Sequence, residues 1–284
     1  MDKCIITAAL SGVAASKDQC PAIPYTPEEY ALEARRAFEA GASIVHLHAR
    51  YPDGTPSYRA QEYRQITQAI LSESPELIIN YSTGAVHVAK EERVSHIVEL
   101  KPDLGALNMG SMNYAKYSSK RKEMVFDFVF ENRFETIIYF LEKLNHAGVK
   151  PECECFDTGH IHNTAPLIDM GLLQPPIQFS LILGVLGGAP ADARTLAHMA
   201  SLVPQQSTWE VIGVSRHQWM LVEAALPLGG NLRVGLEDNF YLPDGGMAES
   251  NGNLVSAAAK LVRDSGREVA SPSEARLLLC LPER

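Results

Sequence analysis

The chain has 284 residues, a formal net charge of −9 and 46% hydrophobic residues. This composition allows a large apolar core, and the acidic balance argues against a nucleic-acid-binding protein, which normally carries a basic stripe. No apolar stretch of the sequence approaches the roughly 20 residues that cross a bilayer.

Short apolar runs alternate with stretches of helical spacing along the whole sequence. We predict eight strands, at 4–9, 43–48, 77–81, 104–108, 150–156, 177–183, 209–213 and 231–235. Helix starts are marked by Thr26-Pro27-Glu28-Glu29 and Ser271-Pro272-Ser273-Glu274, two capping boxes with proline at the first helical position. The first opens a helix over 27–39, and Gly41 is expected to end it.

Eight such alternations predict an α/β protein with a single (β/α)₈ TIM-barrel domain over residues 1–284. The rival is an open doubly wound sheet, but no G-x-G-x-x-G follows the first strand. In a barrel, the chemistry gathers at the C-terminal ends of the strands. Polar residues follow seven of the predicted strands: Ser11, His46 and His48, Ser82 and Thr83, Asn108, Asp157, Ser215 and Arg216, and Glu237 and Asp238.

His46 and His48 form the most informative pair, because side chains two apart on a strand point the same way, about 6.6 Å apart. Glu237, behind another apolar run, offers a third ligand. Two imidazoles and one carboxylate leave a zinc-like ion an open position for water or substrate. The pattern therefore predicts a catalytic metal site, although these ligands also suit iron or manganese.

Other acidic residues are candidates for proton transfer. Asp238 is expected to face Arg233, either as a structural ion pair that closes the barrel or as a pair that positions or relays protons. Glu152 and Glu154 share one face of the fifth strand, and a carboxylate inside a barrel mouth is either paired or catalytic. Of the two, we favour Glu154.

Two glycine-containing segments could bring backbone close to a ligand. The first is Ser82-Thr83-Gly84, although the same residues are ordinary turn formers. The second is the loop around Gly187 and Gly188, which, with Arg216 on the next loop, suggests a phosphorylated cofactor. His160-Ile161-His162 repeats the His-x-His pattern but is expected to start a helix, where positions i and i+2 diverge.

Together these segments resemble the beta-keto acid cleavage enzymes over nearly the whole chain. The segments that carry the resemblance are Thr7-Ala8-Ala9, His46-Leu47-His48-Ala49-Arg50, Asp53-Gly54, Ser82-Thr83-Gly84, Phe156-Asp157, Gly187-Gly188 and Arg233-Val234-Gly235-Leu236-Glu237-Asp238-Asn239. The resemblance implies a zinc-dependent (β/α)₈ enzyme that condenses a β-keto acid with acetyl-CoA. The products would be acetoacetate and a new acyl-CoA.

The resemblance also implies roles for individual residues. His46, His48 and Glu237 would hold zinc, Arg233 and Asp238 would serve catalysis, and Ser82 with the following loop would grip the keto acid. The glycine-rich loop and Arg216 would contact the phosphates of acetyl-CoA. A homotetramer is expected by the same analogy.

The sequence departs from the family pattern at three places. Family members that act on 3-keto-5-aminohexanoate carry a glutamate at the position of Ala14, so we predict a keto acid without an ammonium group at that end. Asn108 stands where family members often have threonine, and Ala85 stands where glycine is common.

Two alternative functions are open at this point. A metal-dependent hydrolase of the amidohydrolase type also opens with His-x-His, but on the first strand and with further strand-end histidines, whereas His96, His146 and His198 lie in helical stretches. A metal-bound, non-catalytic ligand sensor is the other. Whatever the function, the lack of a signal sequence and the odd number of cysteines, five, predict a cytoplasmic protein without disulfides.

Overall fold

Eight parallel strands form a closed barrel in the computed structural model, which describes residues 2–283. The strands are β1 (Ile6–Ala9), β2 (Ile44–Leu47), β3 (Ile78–Ser82), β4 (Leu104–Asn108), β5 (Lys150–Cys155), β6 (Ile177–Leu183), β7 (Ser207–Gly213) and β8 (Asn231–Val234). Strand β8 pairs with β1 in parallel and closes the barrel. The predicted (β/α)₈ fold is confirmed, and each of the eight strands overlaps its predicted range.

Helices surround the barrel. They are α1 (Pro27–Ala40), α2 (Ala60–Glu73), α3 (Lys90–Leu100), α4 (Phe134–Ala147), α5 (Thr158–His162), α6 (Thr164–Asp169), α7 (Ala193–Leu202), α8 (Gln218–Ala225), α9 (Asn251–Asp264) and α10 (Pro272–Leu278). The capping boxes at Thr26 and Ser271 are both present, and Gly41 ends α1 with left-handed backbone. Among residues 2–283, no helix is both long and apolar enough to cross a membrane.

An antiparallel hairpin, which the sequence analysis did not predict, separates β4 from α4. Its strands are Met112–Ser118 and Glu123–Phe130. Aromatic residues alternate along the second strand, and the ring of Phe128 stacks on that of Tyr114 with centroids 5.3 Å apart. The hairpin therefore presents an aromatic face beside the mouth of the barrel.

The interior of the barrel is polar below its mouth. The hydroxyl of Ser180 lies 2.5 Å from Glu152 Oε1 and 3.0 Å from Glu210 Oε1, while Thr7 donates to Glu210 and Asn80 donates to Glu152. Burial raises the pKa of Glu210 to about 8, against the opposing effect of Arg233. Because one hydroxyl proton cannot serve two carboxylates, this geometry is satisfied when one of the two acids is protonated.

Candidate active site

The two histidines and the glutamate predicted as metal ligands lie together at the C-terminal end of the barrel. His46 lies near the end of β2 and His48 directly follows that strand, while Glu237 follows β8. Glu237 Oε1 lies 3.8 Å from His46 Nε2 and 3.6 Å from His48 Nε2. One ligand atom from each residue falls within 4.8 Å of the others, a spacing that one ion can bridge.

The donor set fits a divalent cation. Both ring nitrogens of His46 and Oε2 of Glu237 are buried and have no hydrogen-bond partner within residues 2–283. Burial lowers the pKa of His46 well below its ordinary value, so the ring is neutral, as a metal ligand must be. Burial alone would raise the pKa of Glu237, but Arg233 and the two imidazoles hold it well below its usual range. A bound cation would satisfy one ring nitrogen of His46 and a carboxylate oxygen of Glu237.

Arg233, on β8, contacts three carboxylates, one of which belongs to the predicted metal ligand Glu237. Its Nε and Nη2 donate to Asp238 at 3.0 and 3.1 Å, its Nη2 also donates to Glu237 at 2.7 Å, and its Nη1 donates to Glu154 at 3.4 Å. Its side chain is only 3% exposed. Burial raises the pKa of Asp238 to about 6, and Arg233 opposes that rise. A carboxylate in this state is ionised at neutral pH and still basic enough to accept a proton.

These groups form the floor of a cavity of about 490 Å³. The floor consists of His48, Glu154, Arg233, Glu237 and Asp238. Aromatic residues of the hairpin form what we call the wall: Tyr114, Phe126, Phe128 and Phe130. Ser82, Gly84 and Asn108, three of the predicted substrate-binding residues, also line the cavity. The cavity thus has a charged end and an apolar side.

Glu154, rather than Glu152, faces the cavity. Glu154 lines the floor, whereas Glu152 lies deeper and hydrogen-bonds with Asn80 and Ser180. Burial raises the pKa of Glu154 to about 8, with Arg233 opposing the rise. The two glutamates share one face of the strand, but Glu154 lines the cavity and Glu152 belongs to the barrel interior.

Four predicted ligand-binding residues do not line this cavity. The hydroxyl of Thr83 donates to the carbonyl of Ala106 at 2.9 Å. Gly187 has φ +105°, and a Cβ there would lie 1.9 Å from the carbonyl oxygen of Asn113 on the hairpin, so close packing requires this glycine. The amide of Gly188 donates to Val185, and Arg216 is exposed over the ring of Tyr241, 3.8 Å from its centroid.

Comparison with known proteins identifies the family. A family model described as beta-keto acid cleavage enzyme matches residues 3–281. This chain belongs to the beta-keto acid cleavage enzyme family. It is an enzyme, as its relatives are, and not the non-catalytic sensor considered above.

Two relatives of this beta-keto acid cleavage enzyme span nearly the full length of the chain. A 3-keto-5-aminohexanoate cleavage enzyme of Fusobacterium nucleatum is 42% identical over 282 residues, 99% of each chain. A 3,5-dioxohexanoate:acetyl-CoA acetone transferase of Paraburkholderia graminis is 34% identical, covering 98% of this chain and 96% of the relative. The solved complex of ObcA with oxaloacetate shares the fold, with a TM-score of 0.74 and 20% identity over 93% of this chain and 68% of ObcA.

The three further histidines considered for the hydrolase alternative do not lie at strand ends. His96, His146 and His198 lie in α3, α4 and α7, as expected. His160 and His162 lie in α5, where Asp157 caps the helix through the amide of His160. Within residues 2–283, the single group of three or more potential metal ligands is His46, His48 and Glu237.

The cavity of this beta-keto acid cleavage enzyme also contains residues that sequence reasoning missed. Tyr58 and the four aromatic residues of the wall line it, yet none was a candidate. The signal was present as strict alternation in Phe126-Asp127-Phe128-Val129-Phe130, a pattern typical of a strand with one apolar face. What the pattern lacks is any indication that this face turns toward the barrel mouth.

Buried groups behind Ser82 fix its backbone. His96 Nε2 lies 3.1 Å from the carbonyl oxygen of Ser82, and the His96 ring stacks on Tyr63 with centroids 4.0 Å apart. Burial lowers the pKa of His96 to about 3, so the ring is neutral and can donate to that carbonyl. These contacts hold the segment at Ser82 in place from outside the cavity.

Proposed function

We propose that this enzyme transfers acyl groups between a β-keto acid and acetyl-CoA, producing acetoacetate and a new acyl-CoA. The observation that carries the proposal is the buried group of His46, His48 and Glu237, in contact with Arg233 and its carboxylates at the bottom of one cavity. By family resemblance, the ion that these three residues would hold is zinc. A divalent ion there supplies the positive charge that favours proton abstraction beside a ketone.

Asp238 is our candidate for the general base. Two hydrogen bonds from Arg233 fix the orientation of its carboxylate, and Arg233 itself stays charged. Asp238 takes a proton from the carbon between the ketone and the carboxylate of the keto acid. Glu154, on the other side of Arg233, can hold or return a proton to this group.

The remaining bond changes balance without an external oxidant or reductant. The keto-acid carbanion attacks the thioester carbonyl of acetyl-CoA, forming a carbon–carbon bond and releasing the CoA thiolate. The thiolate then attacks the original ketone, and the bond between that carbonyl carbon and its neighbour breaks. The proton taken at the start is returned to the departing carbanion, which leaves as acetoacetate.

The carboxylate of the keto acid is proposed to bind at Ser82, Gly84 and Asn108. The hydroxyl of Ser82 and the side-chain amide of Asn108 are uncharged donors beside the floor, and the Gly84 backbone borders them. The hydroxyl of Ser82 accepts from the Gly84 amide at 3.0 Å, so its own proton is free to point elsewhere. Thr83 contributes through the shape of this turn rather than through its side chain.

The other end of the keto acid is proposed to be uncharged. Ala14 and its neighbour Val13 line the cavity near Pro56 and Tyr58, and none of these four side chains carries a charge at neutral pH. Such a lining gives an ammonium group no counter-charge and penalises its desolvation. The substrate class is therefore a β-keto acid with a neutral tail.

The substitution Ala14→Glu tests this substrate class. We expect the wild-type enzyme to prefer a neutral keto acid over its amino-substituted isostere in kcat/KM, and the variant to shift that ratio by about tenfold or more toward the amine. Ala15→Glu, one residue along the same loop, serves as the matched control. A wild-type preference for the amine would contradict the proposal.

The reaction itself is tested with [¹⁴C]acetyl-CoA and a panel of β-keto acids. Label in acetoacetate together with a new acyl-CoA is the expected result. No label transfer with any panel member, from protein that contains its metal, would contradict the proposed function and favour hydrolysis.

Zinc, a homotetramer and a cytoplasmic location stay predictions. Metal analysis of the purified protein and its elution volume in gel filtration check the first two. Fractionation of cells that express the chain checks the third.

A further inference from the structure

A second cavity, of about 460 Å³, adjoins the active-site cavity. Ala85, Val86 and Phe130 line both, so the boundary between the two cavities is formed by uncharged side chains. We call the second one the α3–α4 cavity, because residues at the starts of α3 and α4 line it. Its charged lining residues are Lys90, Arg93, Arg133, Glu131 and Glu135.

Arg93 is a buried cation whose hydrogen-bond partners are neutral. It is 4% exposed, and its Nε and Nη2 donate to the Thr83 carbonyl at 2.8 Å and to Asn132 Oδ1 at 2.9 Å. No carboxylate of residues 2–283 pairs with it, and burial lowers its pKa to about 10. A buried charge without a counter-charge costs free energy, which an anion in the cavity would offset.

Two helices, α3 and α4, begin at the same cavity. Lys90 begins α3, and Arg133 precedes the first residue of α4. Neither N-cap residue, Ala89 or Arg133, accepts a hydrogen bond from the helix through its side chain. The first-turn amides of both helices are thus left without side-chain caps, and such amides favour anions.

The acids in this cavity do not exclude an anion. Lys90 pairs with Glu135 at 2.5 Å, and Arg133 pairs with Glu131 at 2.8 Å. Both glutamates are more than 60% exposed, at 63% and 62%, so their ion pairs contribute little to stability. A multiply charged phosphate can therefore replace them as the partner of the two cations.

We propose that the α3–α4 cavity binds the phosphate groups of CoA. The inference rests on the proposed function, which requires the thioester at the floor and an uncharged arm between it and the phosphates. The apolar residues shared by the two cavities suit that arm, and Lys90, Arg93 and Arg133 suit the phosphates. This assignment differs from the expected site at Gly187, Gly188 and Arg216, where the Gly188 amide already donates to Val185.

The variant Lys90→Ala/Arg133→Ala tests the proposal without disturbing buried Arg93. Calorimetry with CoA and with adenosine 3′,5′-bisphosphate measures binding, and steady-state kinetics compare acetyl-CoA with S-acetylpantetheine, which lacks the nucleotide phosphates. We expect Kd for CoA and KM for acetyl-CoA to rise about tenfold, as the loss of charged contacts to phosphate implies. The kcat/KM for S-acetylpantetheine should stay within twofold of wild type.

Lys260→Ala, which removes an exposed lysine from α9, is the matched control for loss of positive charge. Arg216→Ala addresses the competing site directly. Unchanged Kd for CoA in the double variant overturns the proposal, and so does a tenfold rise confined to Arg216→Ala. Binding of inorganic phosphate at Lys90 and Arg133 that leaves CoA affinity untouched also overturns it.

The two proposals can fail separately. A wild-type enzyme that binds CoA through Lys90 and Arg133 but transfers no label contradicts the proposed function and leaves the phosphate site intact. An enzyme that transfers label with the same KM for acetyl-CoA in wild type and double variant contradicts the phosphate site alone.

Discussion

The floor and the wall of the active-site cavity are built in different ways. Arg233 and the three carboxylates that it contacts lie at strand ends of the barrel, and none of their side chains is more than 16% exposed. The wall belongs to a hairpin outside the barrel, where Phe126 is 41% exposed and neighbouring rings hold each other by stacking. The floor is suited to fixed chemistry, and the wall is suited to selecting what reaches it.

Substitution of Arg233, the cation at the centre of the floor, should destabilise the floor more than any other change. In Arg233→Met, Glu154, Glu237 and Asp238 lose their common partner, and we expect a loss of about 3–5 kcal/mol in the free energy of unfolding. The kcat/KM for acyl exchange should fall on the order of 10³-fold, because the candidate base loses its orientation. Urea unfolding and steady-state kinetics measure both.

Arg263→Met, on the exposed end of α9, is the control for loss of an arginine. It should leave both quantities close to wild type. If Arg233→Met were as stable and as active as this control, the charged network would have no role in either folding or catalysis.

A substitution in the wall should affect substrate binding and leave the chemical step nearly unchanged. Phe128→Ala removes a half-buried ring from the cavity, and we expect KM for the keto acid or acetyl-CoA to rise about 5–50-fold through lost apolar contact. The kcat value should change less than about threefold, since an apolar ring cannot transfer a proton.

Val125→Ala provides the comparison, because Val125 lies on the same strand, is 43% exposed and lines neither cavity. Its KM values should match wild type. Equal effects of the two substitutions would mean that the hairpin acts only as a structural support.

The smallest expected effect concerns the polar layer beneath the floor. The pKa of Glu210 is raised by burial to about 8 in the folded protein, above its ordinary value near 4.5. The folded state therefore binds this proton more tightly, and stability falls as pH rises between those two values.

Glu210→Gln should remove that contribution. Urea unfolding at pH 5, 6, 7 and 8 should show a shallower fall in stability for the variant than for the wild type. Identical slopes would show that Glu210 does not carry a proton that distinguishes the folded from the unfolded state.

The sequence predicted the floor far better than the wall, for a physical reason. Strand alternation alone places His46 and His48 on one side, and the barrel rule places Glu237 and Asp238 at the same end. The hairpin has an equally clear alternation from Phe126 to Phe130, but its direction depends on contacts with distant residues, such as Asn113 against Gly187. The close packing of the glycine-rich loop on the hairpin is equally invisible in sequence.

The metal content of wild type, His46→Ala and His162→Ala tests the central claim most directly. His46 is buried beside the floor residues His48 and Glu237, whereas His162 ends the second His-x-His segment and is exposed on α5. The account predicts one divalent ion per chain in the wild type and in His162→Ala, and less than about a tenth of that in His46→Ala. A full complement of metal in His46→Ala would contradict the assignment of the floor as a metal centre.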